Sequence, residues 1–233
     1  MISNWKDSPK RSHTDVLKDL LEPANTKIID AGCGAGNITR ALTAMGAKVI
    51  GLDPSTRQLE RARAQQPEGS EVYIEGTAED LPFENQSQDI ILFFNSFHHV
   101  PRSKFSAAID ESQRVLQPGG KLFFSEPIAD GPQFELSRLI NDEREIRALA
   151  YQSILNLPNK GFKEILELIY ITENRYESFE SFRFNSISIN PAREKIFETR
   201  KEEIRDKFET FSTKDQGHFI FQNPVRANLF ERL

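Results

Sequence analysis

Residues 26–125 predict an α/β protein built on a doubly wound, mostly parallel sheet. Three observations carry that prediction. Short apolar runs alternate with helical patterns along the chain. The runs are apolar nearly throughout instead of at every second position, as in strands buried on both faces. Glycine and proline mark most of the turns between them. Right-handed crossovers then place helices on both faces of the sheet.

The elements follow in order. Thr26–Asp30 (TKIID) reads as a buried strand, and Asn37–Met45 as a helix stopped by Gly46. Ala47–Asp53 (AKVIGLD) is a second strand. Ser55–Gln65 is a second helix, with Ser55 as its N-cap and Leu59 and Ala62 on one face. Glu71–Glu75 is a short third strand, and Gln88–Phe94 (QDIILFF) the fourth and most apolar. Pro101–Leu116 is a helix opened by proline and ended by Pro118-Gly119-Gly120. Lys121–Ser125 is the fifth strand. Gly131–Leu168 reads as mostly helical and charged, a candidate lid. Glu173–Asn190 reads as partly strand, from Phe179, Phe182, Phe184, Ile187 and Ile189. Pro191–Phe211 is a charged amphipathic helix, and Gly217–Leu229 a last strand. The 233 residues are read as one domain. Its parts are an N-terminal helical segment (1–24), a core (25–128), a helical insertion or lid (129–170) and a closing segment (171–233).

Composition narrows the function. The net charge of −5 lacks the basic footprint of tight nucleic-acid binding, so nucleic acid is not the expected partner. The longest apolar run, Ile90–Phe94, is too short to span a bilayer. The N-terminal stretch shows no apolar signal region, and a cytoplasmic setting is expected. The single cysteine, Cys33, can form neither an internal disulfide nor a multi-cysteine metal site. Phenylalanine, at 18 residues, is abundant; it reads first as core, with a weaker hint of an aromatic-lined pocket.

Ligands of such sheets bind beyond the carboxyl ends of the strands. There lies Ile28–Arg40 (IIDAGCGAGNITR). A nucleotide P-loop requires a lysine that is absent after Gly36, and the dinucleotide spacing G-x-G-x-x-G is replaced by G-x-G-x-G. The glycines permit close backbone approach, and the helix start offers N–H groups to an anion. Asp30 before them would repel a pyrophosphate but could accept from an ammonium group. Asp53, about 20 residues on, suits two ribose hydroxyls. A carboxylate, an ammonium and a ribose together describe S-adenosylmethionine.

Five segments make a resemblance explicit: Asp30-Ala31-Gly32-Cys33-Gly34-Ala35-Gly36, Gly51-Leu52-Asp53-Pro54-Ser55, Gly76-Thr77-Ala78-Glu79-Asp80-Leu81-Pro82-Phe83, Ser96-Phe97-His98-His99-Val100 and Arg114-Val115-Leu116-Gln117-Pro118-Gly119-Gly120. In this order the chain resembles the class I S-adenosylmethionine-dependent methyltransferases, in the broad group of ubiquinone-biosynthesis and small-molecule enzymes. The resemblance implies a Rossmann-like sheet of seven strands, the last antiparallel beside the fifth. It also implies S-adenosylmethionine as methyl donor and S-adenosylhomocysteine as product. By position, Asp30 and the loop of Gly32, Cys33, Gly34 and Gly36 would hold the methionine moiety. Asp53 and Pro54 would lie at the ribose, Gln58, Thr77, Ala78 and Glu79 at the adenine, and Asn95 on the methionine side. Thr77 departs from the aspartate common in the family, which weakens the expected bond to the adenine amine.

The segment after the fourth strand bears on the acceptor. Asn95-Ser96-Phe97-His98 lacks the [DN]-P-P-[FY] of base-amino methylation, and Cys33 is in the wrong loop for a cytosine nucleophile. A small-molecule oxygen, nitrogen or activated carbon is the expected acceptor. The alternatives are a non-catalytic cofactor-binding subunit and an enzyme acting on RNA or protein. His98 and His99 are the catalytic candidates, able to take a proton as methyl transfer proceeds. His99 could instead pack or cap the next helix. Two histidines without further ligands do not make a metal site, and none is expected. Glu126 and Asp130 could meet a cationic or hydroxylated acceptor, and Arg11 the cofactor carboxylate.

Overall fold

A computed structural model describes residues 5–233. Its first half alternates as the sequence predicts: β1 (Lys27–Ala31), α2 (Asn37–Ala44), β2 (Lys48–Asp53), α3 (Thr56–Arg63), β3 (Val72–Glu75), β4 (Gln88–Phe94), α4 (Phe105–Val115) and β5 (Leu116–Pro127). Helix α1 (His13–Leu21) precedes them, within the segment expected to be helical; Met1–Asn4 of that segment lie outside the described residues. Ser55 caps α3 as expected, its hydroxyl accepting from the Gln58 N–H.

The sheet order is β3-β2-β1-β4-β5-β8-β6, with β8 at His218–Arg232 and β6 at Phe162–Tyr176. Strands β1 to β5 pair in parallel. Strand β8 runs antiparallel to both β5 and β6. A three-residue β7 (Thr213–Asp215) pairs with β8 off this path, an eighth strand beyond the seven expected. The class is the one predicted, α/β with a mostly parallel doubly wound sheet.

Both faces of the sheet are covered. Ile29, Ile91, Phe93, Leu122 and Phe124 enter one core, while Ile28, Ile90, Leu92 and Phe123 enter the other. Successive residues of one strand point to opposite faces. That is why the strands read as continuous apolar runs: each residue buried on either face contributes about 1.5–3 kcal/mol.

The second half differs from its reading. Gly131–Leu168 holds α5 (Gly131–Ser137) and α6 (Arg144–Leu155), but β6 begins at Phe162. The stretch Phe162–Leu168 was expected to be helical because its charges break the apolar run. As a strand, β6 is the edge of the sheet, and Lys163, Glu164 and Glu167 stand exposed along it. Conversely, the stretch read as strand forms α7 (Phe179–Ile189), capped by a reciprocal Ser178–Ser181 box. Phe179, Phe182 and Ser186 are its buried positions, a helical spacing, whereas Phe184 and Ile189 stand exposed. Helix α8 (Glu194–Phe211) follows. A third core joins Phe179, Phe182, Phe197, Phe208 and Phe221, away from the sheet centre. The abundant phenylalanine is thus spent mostly in cores, as first read.

Candidate active site

The ends of β1, β2 and β4 meet at one edge, since Asp30 pairs with Gly51 on one side and Leu92 on the other. From β1 the chain enters the loop 32–36, where Gly32 and Gly34 take φ of +78° and +54°. A Cβ on Gly32 would lie 2.5 Å from the Ser96 Cβ, whereas a Cβ on Gly34 would meet nothing within 4 Å. The first glycine thus serves packing, and the second leaves open space on its Cα side for a ligand to approach. Helix α2 begins after Gly36 with no side chain capping its first N–H groups. Those donors remain for an anion.

The two acids of this edge differ. Asp53 accepts from the Gly34 N–H through one oxygen and from the Ser55 N–H through the other, each at 2.8 Å. It therefore ties the glycine loop to the start of α3. Asp30 is 1% exposed and accepts from the Thr39 hydroxyl at 2.7 Å. Burial pushes its carboxyl up to about 6, the Thr39 hydroxyl opposing and Asp53 adding to the rise. Asp30 thus sits beneath the loop, locking α2 to β1. Cys33 is buried, and burial followed by the Asp30 and Asp53 charges drives its thiol far up, so it is inert.

The other expected cofactor residues surround this edge. Pro54 is exposed just past Asp53, and Gln58 lies on the first turn of α3. Thr77, Ala78 and Glu79 form the turn after β3, where Thr77 bridges to Asp80 and Ala78 is buried. Asn95, at φ +53°, turns the chain sharply off β4 while its N–H donates to the Ser125 carbonyl.

Asn95 also leads into a cavity of about 250 Å³, lined on one side by His98 and His99 and roofed by α5, α6 and α7. The loop 95–99 is held twice. The Ser96 hydroxyl donates to the Ala31 carbonyl at 2.6 Å, which joins this loop to the glycine loop. One Glu126 oxygen accepts the Ser96 and Phe97 N–H groups, and the other pairs with His98 Nδ1. Glu126 is thus occupied as a loop anchor, where the sequence suggested an acceptor contact. His98 Nε2, buried and without a hydrogen bond, faces a Glu143 oxygen at 3.6 Å; Arg147 donates to that same oxygen at 2.6 Å.

These neighbours divide the two histidines. Burial alone would lower His98, but Glu126 and then Glu143 lift it to about 9. His99 keeps an exposed face, and desolvation of the ring side turned inwards, followed by the adjacent His98 charge, lowers it. Glu143, which burial would raise, is held at about 2 by His98 and Arg147. His98 is therefore an imidazolium at neutral pH and His99 a neutral imidazole. Among the described residues, His98, His99 and Glu143 are also the one trio whose ligand atoms lie within 4.8 Å of one another. Arg147 binds the Glu143 oxygen that faces the imidazole, which sets a positive charge where an ion would sit.

The site draws on residues the sequence reading passed over. Ser96 fits the Gly32 contact, Tyr73 packs under Gly36 and Gly51, and Glu143 and Arg147 complete the His98 chain. Ser96, Tyr73 and Glu143 meet the glycine loop and His98 across long stretches of sequence, and the local i,i+4 pair Glu143–Arg147 gives no sign that it lies against a histidine. Arg11, a candidate for the cofactor carboxylate, is instead engaged by Asp19. Asp130 accepts from the Trp5 indole at 2.9 Å. No helix among the described residues is long and apolar enough to cross a membrane.

Proteins similar to this chain include methyltransferases. Residues 29–124 match the family described as "Methyltransferase domain". An uncharacterized methyltransferase of Oceanobacillus iheyensis is 30% identical over 167 residues, 72% of this chain and 74% of that protein. The chloroplastic 2-methyl-6-phytyl-1,4-hydroquinone methyltransferase of Arabidopsis thaliana is 32% identical over 158 residues, 65% of this chain and 46% of that protein. A solved S-adenosylmethionine-dependent methyltransferase of Methanosarcina mazei shares the fold with a TM-score of 0.58 at 15% identity, over 96% of this chain and 99% of that one. Against other curated relatives the matched region spans 22% to 55% of their length. With its glycine loop, its acid-tipped strands and its sheet order, the chain belongs to the class I S-adenosylmethionine-dependent methyltransferase family.

Proposed function

We propose that this protein transfers a methyl group from S-adenosylmethionine to an oxygen, nitrogen or activated carbon of a small molecule held in the cavity beneath α5–α7. One observation carries the reading. The Ser96–Ala31 hydrogen bond joins the loop that lines the cavity to the glycine loop that would hold the cofactor. Donor and acceptor would then meet across Asn95. The Arabidopsis relative, named for a hydroquinone, adds support for a small acceptor.

The residues fit the cofactor. The space beside the Gly34 Cα is open, and the α2 N–H groups have no side-chain cap. Asp53 keeps lone pairs for ribose hydroxyls after accepting its two amides. Asp30, being buried, acts by shaping the loop. Pro54, Gln58, Thr77, Ala78 and Glu79 would border the ribose and adenine, and Asn95 the methionine side. When bound, S-adenosylmethionine supplies an electrophilic methyl on a sulfonium, and S-adenosylhomocysteine is left.

The chain's own work is alignment and proton handling. His99, neutral, is the group able to take a proton from a hydroxyl or amine as it becomes methylated. His98, as a cation clamped by Glu126 with its Nε2 buried towards Glu143, instead contributes positive charge at the cavity wall. No metal takes part in this reading.

Methyl-labelled S-adenosylmethionine incubated with the protein and size-fractionated cell extract tests the proposal. Label in a small-molecule fraction is expected. Label in protein or RNA would replace the acceptor class, and cofactor binding without transfer would point to a non-catalytic subunit.

A further inference from the structure

The cavity carries an uneven charge. Its ionised groups mostly come in pairs: His98 with Glu126, and Arg147 with Glu143. Arg193, between α7 and α8, lines the same cavity, on the wall that α7 contributes. Among the described residues it has no carboxylate partner. Its guanidinium makes one long hydrogen bond, 3.5 Å, to the Ser186 carbonyl. The carboxylate beside it in sequence, Glu194, is engaged by Arg183. Ser186 stands beside Arg193 through that bond, and the uncharged Asn174 and Asn223 line the same cavity from β6 and β8. A guanidinium left without a counter-ion in a concave, polar site is a fork suited to a carboxylate or a phosphate.

We infer that the acceptor is an anion, and that Arg193 binds its carboxylate or phosphate while the methylated atom lies at the His98–His99 end of the cavity. The inference rests on reading this cavity as the acceptor site. It assigns Arg193 as the residue that selects acceptors by charge, by a contact made through the roof and not through the sheet. A neutral isostere of the acceptor would leave the guanidinium with its single long bond and would bind less well.

The test is equilibrium binding, so it does not depend on turnover. Benzoate and benzamide, 4-hydroxybenzoate and 4-hydroxybenzamide, and phenyl phosphate and phenol are titrated into the protein by ligand-observed NMR, with and without saturating S-adenosylhomocysteine. The wild type is expected to prefer the anion of at least one pair by about tenfold, the yield of one charged hydrogen bond in a partly open site. Arg193→Gln should remove that preference, and Arg193→Lys should restore part of it. Thermal unfolding of each variant confirms that it is folded. Equal binding of every pair, no binding of any anion, or a preference that survives in Arg193→Gln would each overturn the inference. Anion preference without any S-adenosylhomocysteine binding would instead sink the methyltransferase reading while leaving the anion site in place. Loss of preference in phosphate alone, or in carboxylate alone, identifies which anion the site takes.

Discussion

Glu126→Gln removes one charge from the loop anchor and little else. The amide oxygen can still accept from the Ser96 and Phe97 N–H groups, as the carboxylate oxygen does. His98, however, loses the neighbour that does most to keep it protonated. In the native protein burial opposes the charge, yet Glu126 and Glu143 lift His98 from 6.5 to about 9. At about 1.4 kcal/mol per pKa unit, the folded state favours the imidazolium by about 3 kcal/mol. Glu143's low value is the same interaction seen from the other side, so it is counted once. The folded pKa is raised. This stability is therefore complete below the unfolded value of 6.5 and is lost as pH rises through about 9. His13, lowered by burial to about 4, and His99, also lowered, change their contributions below that window. Asp30, raised to about 6, does so at its acid edge. Cys33 has an ordinary value of 9.0, so its effect begins only at the upper limit. Urea unfolding from pH 6.5 to 9 should thus show the wild type losing about 3 kcal/mol. Glu126→Gln should be less stable at pH 6.5 and show a shallower slope, the two curves converging near pH 9. Imidazole NMR should place His98 lower in the variant. Parallel stability curves, or a wild-type His98 titrating near 6.5, would refute the assignment of His98 as a clamped cation.

Other predictions bear on the cofactor and the chemistry. Asp53→Asn should weaken S-adenosylhomocysteine binding about tenfold or more, from a charged hydrogen bond of about 1.5–3 kcal/mol; calorimetry showing unchanged affinity would remove Asp53 from the ribose. His99→Gln should slow turnover while S-adenosylhomocysteine still binds, and should flatten the acid limb of the kcat profile; a profile identical to wild type would retire the base. Gly32→Ala should cost about 2–4 kcal/mol in chemical denaturation, combining a left-handed φ with the Ser96 clash. Gly34→Ala should cost only about 1–2 kcal/mol but weaken cofactor binding, because its Cβ would project into open space; equal stability losses in the two would contradict the division between packing and ligand glycines.

The cofactor half was legible because its signals are local. Strands β1, β2 and β4 are buried on both faces, so their apolar runs announce them, and Asp30 and Asp53 stand at their tips. The roof was less legible. Strand β6 scatters Lys163, Glu164 and Glu167 among Phe162, Ile165, Leu166 and Leu168 without strict alternation, and a bulge between Glu164 and Leu166 breaks its period, so it resembles a wet helix until its partner β8 is known. Helix α7 contains the accidental period-two pairs Phe182/Phe184 and Ile187/Ile189, while its true burial follows Phe179, Phe182 and Ser186. The histidine pair was visible, but its division into cation and neutral base was not. That division depends on Glu126 and Glu143, 28 and 45 residues further along the chain, and burial of this kind leaves no trace in composition.

The way the roof is attached bears on selectivity. Residues 177–217 leave β6 after Tyr176 and re-enter β8 near Phe219, and Tyr176 and Phe219 are register partners across one antiparallel ladder. Partners in such a ladder are only about 5 Å apart at the backbone. Everything between them, including α7 and Arg193, is therefore a closed excursion from a two-strand stem. It is rooted on β6 and β8 instead of on the strands that carry Asp30 and Asp53, and it meets the cofactor half at α3, where Arg57 and Arg61 donate to the Ser188 carbonyl. On the Arg193 proposal, selection by charge is then carried by a segment whose roots lie apart from the strands of the cofactor edge.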